Sequence, residues 1–237
     1  MMNVLEYGGI KSSDYHVYVL NNTDETSTER EYEAVSVAGR SGDLHFDNGR
    51  YTNVTRRYQC YAREHAKDKV ADYLAALLSL HGYQRIEDSM NPDYYKIGEL
   101  AGSVEPRFST FKSGARFDLE FDCKPQKWLK SGEQSHVITT SGAIYNPTKF
   151  GSKPLIYITG YGNLGIGGDT ITISSGYSGN MVIDFDTGDA YSKVGHANLN
   201  SYVTLTGGDF PELKSGKNNI TCSSNLSVEI IPRWWTL

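Results

Sequence analysis

The sequence predicts a mostly β chain with a minor helical part (α+β minor), arranged as two β domains. Three observations carry this. Tyrosine is unusually frequent, with 17 residues, and its large apolar body with a polar tip suits strands and half-buried faces. Residues 115–124 alternate without a miss, Ala115, Phe117, Leu119, Phe121 and Cys123 against Arg116, Asp118, Glu120, Asp122 and Lys124. A period of two marks a strand with one wet face and one core face. After Pro147 no helical period is present, and short β runs recur between turn residues.

The elements follow in order. The 237 residues suffice for two domains with real cores. Strands are predicted at 15–20 and 32–38, rich in Tyr and Val, with the polar stretch 21–28 between them as an exposed connection. Gly39 to Asp43 reads as a turn, and a third strand is plausible at 54–63. One helix is predicted over 64–80, because Val70, Tyr73, Leu74, Leu77 and Leu78 form a single stripe, with Gly82 as its C-cap. A helix this short is marginal alone and must pack on a sheet. A strand near 104–111 leads through Lys112-Ser113-Gly114 into 115–124. Pro125 then breaks the pattern, and the polar run to Glu133 reads as a link, with strand pairing continuing to about 145. The expected domains are 1–132 and 133–237. In the second, runs at 154–159, 169–174, 180–185, 190–194, 202–205, 219–222 and 226–231 suggest a β-sandwich.

Several function classes lose their support. The net charge is −5, with 23 basic and 28 acidic residues interspersed, so a nucleic-acid groove lacks its electrostatic footprint. Cys60, Cys123 and Cys222 are far apart, without a Cys-x-x-Cys, and read as free thiols rather than a disulfide framework or zinc site. No apolar run of membrane-spanning length occurs, and the first residues carry no secretory signal, so no membrane insertion is expected. The six His are scattered, and no Gly-x-Ser-x-Gly elbow is present. Catalytic, metal and cofactor-binding residues are accordingly predicted as none.

Three motifs need weighing. Gly160-Tyr161-Gly162-Asn163-Leu164-Gly165 matches a dinucleotide fingerprint, but a β run follows instead of the helix that would hold a pyrophosphate. Asp184-Phe185-Asp186-Thr187-Gly188-Asp189 suggests calcium or a glycosidase pair, yet its glycine falls at the fifth position rather than the sixth, and a hairpin turn explains it. Trp234 and Trp235 are candidate saccharide contacts; the alternative is that they close the sandwich core.

Read together, the motifs resemble a known family. Val37-Ala38-Gly39-Arg40-Ser41-Gly42-Asp43-Leu44 is similar to a Pro-Gly-Arg-x-Gly-x-Leu turn, with Ala38 where Pro is frequent. Phe121-Asp122-Cys123-Lys124-Pro125, Asn146-Pro147, Lys153 to Gly160, Val182-Ile183-Asp184, Gly208 to Leu213, Gly216 to Ile220 and Pro232-Arg233-Trp234-Trp235 follow in the matching order. The chain resembles, over essentially its whole length, the distal tail protein of siphovirus-type (long-tailed) phages and prophages of Gram-positive hosts. The resemblance implies an N-terminal β-sandwich with one packed helix that forms a ring, usually a hexamer, around the tail axis. It implies a C-terminal galectin-like β-sandwich outside that ring. The implied partners are further copies of the chain, the tail tube protein and a tail-tip or baseplate hub protein. The implied place is the virion tail, assembled in the host cytoplasm. It transfers no active site. Tyr32, Arg40, Asp43 and Leu44 are the candidate ring-interface residues, and 20–32 is a candidate arm. The rival readings are a carbohydrate-binding module using Trp234 and Trp235, and a glycan-cleaving enzyme using Asp184 and Asp186.

Overall fold

The computed structural model describes every residue except 1, 64–65, 110–113 and 178. The chain divides into two compact units, Met1–Lys127 with Leu237, and Trp128–Thr236. Residues 128–132, read from sequence as the end of the first domain, pack with the second unit. The Leu129 amide donates to the Trp234 carbonyl (2.9 Å), and the Arg233 amide donates to the Gly132 carbonyl (2.8 Å).

The first unit contains β1 (Leu5–Tyr7), β2 (Ile10–Lys11), β3 (Val17–Glu25), β4 (Arg30–Val35), β5 (Leu44–Tyr51), β6 (Val54–Ala62), α1 (Ala66–Leu78), β7 (Gln84–Asp88), β8 (Tyr94–Ala101), β9 (Arg107–Phe108) and β10 (Ala115–Cys123). One antiparallel sheet runs β2-β1-β7-β8-β10-β6-β3, with β9 beside β10. A bridge between Asn3 and Val19 links the two flanks, the Val19 amide donating to the Asn3 carbonyl (2.9 Å). The expected sandwich therefore takes the form of a sheet curled back on itself.

β10 is the strand predicted from alternation, its odd residues buried and its even ones wet. β6 pairs with it along its full length, from Ala115↔Ala62 to Cys123↔Val54. The helix lies within the predicted span; residues 64–65 are outside the described ones. Val70, Tyr73 and Leu77 are buried against the sheet, each contributing roughly 1.5–3 kcal/mol. Leu78, placed on the same stripe by sequence, is 65% exposed, because it lies about 100° round the helix from the buried Leu77, at the edge of the stripe. The stretch 21–28 is not a free connection: β3 continues to Glu25, paired with β6 through a register shift between Val19 and Thr23. Backbone pairing on a polar strand leaves no apolar period to read.

The boundary falls within β11 (Lys127–Leu129), and the second unit holds β12 (His136–Ile138), β13 (Ser141–Asn146), β14 (Leu155–Gly160), β15 (Gly162–Ile166), β16 (Asp169–Ile173), β17 (Asn180–Asp184), β18 (Asp189–Ser192), β19 (Val203–Leu205), β20 (Gly216–Cys222), β21 (Leu226–Ile231) and β22 (Trp235–Thr236). Two five-stranded sheets, β12-β21-β14-β17-β18 and β13-β20-β15-β16-β19, enclose one core that includes Ile156, Ile158, Leu164, Ile171, Val228 and Ile230. Each of these residues alternates with a less buried neighbour, as a sandwich requires.

Candidate assembly interface

β4 and β5 form a hairpin that is its own two-stranded sheet, and nearly all of its side chains are exposed. This hairpin, hereafter the arm, collects the predicted interface residues. Tyr32 lies on β4, stacked on His45 (ring centroids 4.5 Å, interplanar angle 11°). Arg40 and Asp43 lie in the connection between the strands, and Leu44 opens β5 opposite Val35. The register adds residues the sequence reading missed. Val35 and Leu44 pair directly, as do Glu33 and Phe46, so all four share one face of the arm. Tyr32 and Phe46 are each more than half exposed.

The arm is internally braced. Arg30 donates through Nε to Asp47 (2.6 Å), and Arg50 Nε donates to Glu31 (2.6 Å). Its neck is tied by threonines. The Thr26 amide donates to the Thr55 carbonyl (3.0 Å), the Thr55 amide to Thr26 Oγ1 (2.8 Å), and Thr28 Oγ1 to the Thr52 carbonyl (2.7 Å). An isolated two-stranded hairpin is marginal in water, so apolar groups on such an arm call for a surface to bury them. The predicted arm at 20–32 is thereby corrected. Its first part is the paired end of β3, and the projecting element is 30–51.

At the root of the arm sits a buried ion cluster. Arg56 points inward on β6, in register with Val54 and Tyr58, and its side chain is 9% exposed. It donates to Tyr58 Oη (2.6 Å), to Asp88 (2.9 Å) and to Glu25, the last residue of β3. Lys96 Nζ also donates to Glu25 (2.8 Å). Asp88 is satisfied further by Tyr58 Oη (3.0 Å) and by the amides of Met90 (3.0 Å) and Asn91 (2.8 Å). Burial pushes the Glu25 carboxyl up, but the hydrogen bond and charge of Lys96, with Arg56 and Lys127, hold it below its usual range. Burial opposes the Arg56 charge, yet Tyr58, Asp88 and Glu25 outweigh it and raise the guanidinium pKa.

The other sequence motifs resolve structurally. Gly160 to Gly165 joins β14 to β15, with no helix beyond. Asp186 to Gly188 forms the turn between β17 and β18. Asp184 is held by Arg233 in a two-point pair (2.7 and 3.0 Å), so its carboxylate is already committed. Among the described residues no group of His, Cys, Asp and Glu is placed to hold a metal ion. Trp234 is 3% exposed in the sandwich core, which leaves no ring face for a sugar. Trp235 stacks on Phe150 (4.5 Å) and donates through Nε1 to the Gly151 carbonyl (2.9 Å). Cys60 and Cys123 are buried free thiols, and Cys222 is half-buried.

No family model and no curated protein matches the sequence. Solved structures do. The chain is similar to the Dit protein (gp 19.1) of phage SPP1, described as a paradigm of the hub adsorption apparatus in phages infecting Gram-positive bacteria. Identity is 13%, all of both chains is covered, and the TM-score is 0.69. It is also similar to a chain of the phage P2 baseplate in its activated conformation, solved with Ca and with Sr. There identity is 10% over 97% of this chain and 98% of the other, with TM-scores of 0.50 and 0.51. From end to end, the chain has the fold of the SPP1 Dit protein.

Proposed function

We propose that this chain is a structural hub at the distal end of a phage tail, closing as a ring of identical copies, with a hexamer expected from the family resemblance. In this reading the ring joins the tail tube protein to a tail-tip or baseplate protein and performs no turnover. The observation that carries it is the arm, a braced, exposed hairpin with apolar side chains, on a chain with the fold of a phage hub protein. A ring needs two different patches that meet and close by rotation. The arm supplies one of them. In this reading the first unit carries the ring contacts.

Light scattering coupled to size exclusion tests this, with negative-stain imaging. A mass that is a multiple of six chains, each of 26.3 kDa, with annular particles, is the expected result. The double change Tyr32→Ala and Phe46→Ser should remove the annular particles. A monomer at every concentration, indifferent to arm substitutions, would overturn the reading.

A further inference from the structure

The sandwich of the second unit ends in four strand edges, β12, β18, β13 and β19. An open edge is a template for pairing with another chain, and proteins blunt it with shortness, charge, proline or cover. β18 is covered by the returning chain. The Ser192 amide donates to the Ala197 carbonyl (2.9 Å) and the Leu199 amide to the Ala190 carbonyl (2.7 Å). β12 and β19 have only three residues each. β13 is different. It has six residues, Tyr145 is 70% exposed, and Ser141 and Ala143 are exposed beside it. From residue 134 to 148 there is no Asp, Glu, Lys or Arg. Proline appears only at Pro147, after the strand has ended. An open groove of about 460 Å³ runs along residues 135–144 beside this edge.

We propose that β13 is a self-pairing edge, which joins antiparallel to β13 of a second copy across a two-fold axis through Ala143. Neutrality argues for a second copy over a foreign strand. Two-fold pairing places each side chain near its own duplicate, so a single charge on the edge would repel itself, and this edge carries none. Parity agrees. With the core on the same side in both copies, Ser141, Ala143 and Tyr145 share the outer face, Ala143 meets Ala143, and Tyr145 meets Ser141. Small residues at the centre allow close approach, and each Tyr145 lies diagonally over the partner copy's alanine. The nearest cation, Lys217, sits on β20 opposite Tyr145. The two copies of it would stand about 20 Å apart, three strand spacings across and four residues along, beyond the Debye length at physiological salt. A joint of one strand pair is smaller than a standard interface, so it is weak and concentration-dependent.

The test uses the full chain. Light scattering across a concentration series should give wild type a mass, at high concentration, at least twice that of Ala143→Lys. Monomers would join in pairs, and rings, which carry one such edge on every copy, would join into larger assemblies; Ala143→Lys should lose this joining while leaving any ring intact, so the result is separable from the ring reading. Ala143→Cys supplies the second measurement. A central antiparallel pair has Cα atoms about 4.5–5.5 Å apart, within disulfide range. Under air oxidation, with dioxygen as the oxidant, this variant should run as a covalent dimer on a non-reducing gel while wild type does not. Equal masses for wild type and Ala143→Lys at every concentration would overturn the proposal. So would an Ala143→Cys chain that stays uncrosslinked.

Discussion

Arg56→Met should destabilise the first unit by about 3 kcal/mol, within the range seen when one partner of a buried ion pair is removed. The figure rests on what remains behind. Met fills the volume of the Arg56 stem but donates nothing to Tyr58, Asp88 or Glu25. Asp88 keeps Tyr58 Oη and the Met90 and Asn91 amides, and Glu25 keeps Lys96, so neither carboxylate is orphaned. The loss is therefore nearer the lower bound for a broken buried pair than the upper. For a unit of this size about 3 kcal/mol lowers Tm on the order of 10 °C. Scanning calorimetry of the full chain reads this directly, because the sandwich core shares no residue with the cluster and its transition should stay in place. Arg56→Lys should lie between, since a point charge cannot serve three acceptors as a planar fork does. Adding Glu25→Gln to Arg56→Met should cost less than Glu25→Gln alone, because the two changes share one interaction. A Tm drop under about 3 °C for Arg56→Met, roughly 1 kcal/mol, would refute the claim that the cluster holds the root of the arm.

Acid should weaken both units. Glu25 and Asp184 are held below the usual carboxylate range by Lys96 and Arg233 against the opposing effect of burial, so their contribution is full above the unfolded carboxylate pKa and is lost as pH falls through the folded one. Melting curves from pH 7 to pH 3 should show Glu25→Gln flattening the acid slope of the first unit only, and Asp184→Asn that of the second; unchanged slopes would contradict this. Gly160→Ala should destabilise the sandwich by more than about 1 kcal/mol, because φ is +94° there and a Cβ would run into the Asn225 carbonyl; a urea midpoint equal to wild type would count against it. Tyr32→Ala with Phe46→Ser should leave Tm within the shift expected for about 0.5 kcal/mol while abolishing annular assembly, since both side chains are exposed in the free chain.

The strands read from alternation have one buried apolar face; β4 was read from its Tyr and Val content alone, and β7 and β8 were not read, because their buried rows carry Asp88, Lys96 and Gly98. β10, β14, β16 and β21 each present the core with every second residue, and a period of two records that. β5 was missed for the converse reason. Leu44 to Tyr51 is exposed on both faces, so no period exists to find. β15 was hidden by its glycines: Gly162 has φ +130° and packs on Ser223, while Gly165 lies against Thr221. Of the site, the turn at 37–44 was readable through the family resemblance, but Val35 and Phe46 entered only with the register. Arg56 left a signal that went unused. Val54, Arg56, Tyr58, Cys60 and Ala62 share one parity, and a cation in that row must find buried anions. Nothing local names Glu25, Asp88 and Lys96 as its company, since they come from three other strands.

The arm also sets how a ring would assemble. Tyr32 is 54% exposed, Phe46 56% and Val35 37%, so docking can bury only about a third to a half of each residue. With Leu44 added, the gain is roughly 1 kcal/mol apiece, about 4 kcal/mol in all. Association itself costs about 4–15 kcal/mol in lost freedom and ordering. A single arm contact between two copies should therefore barely hold. A closed ring differs, because its last contact forms within one particle, at an effective concentration in the millimolar range, and every subunit both gives and receives an arm. The expected population is monomers and closed rings with little between them, and dilution should convert rings to monomers over a narrow concentration range. Mass photometry across a dilution series counts the species directly. A ladder of dimers, trimers and tetramers at comparable abundance would mean that each contact is strong alone. The arm would then not be the main joint.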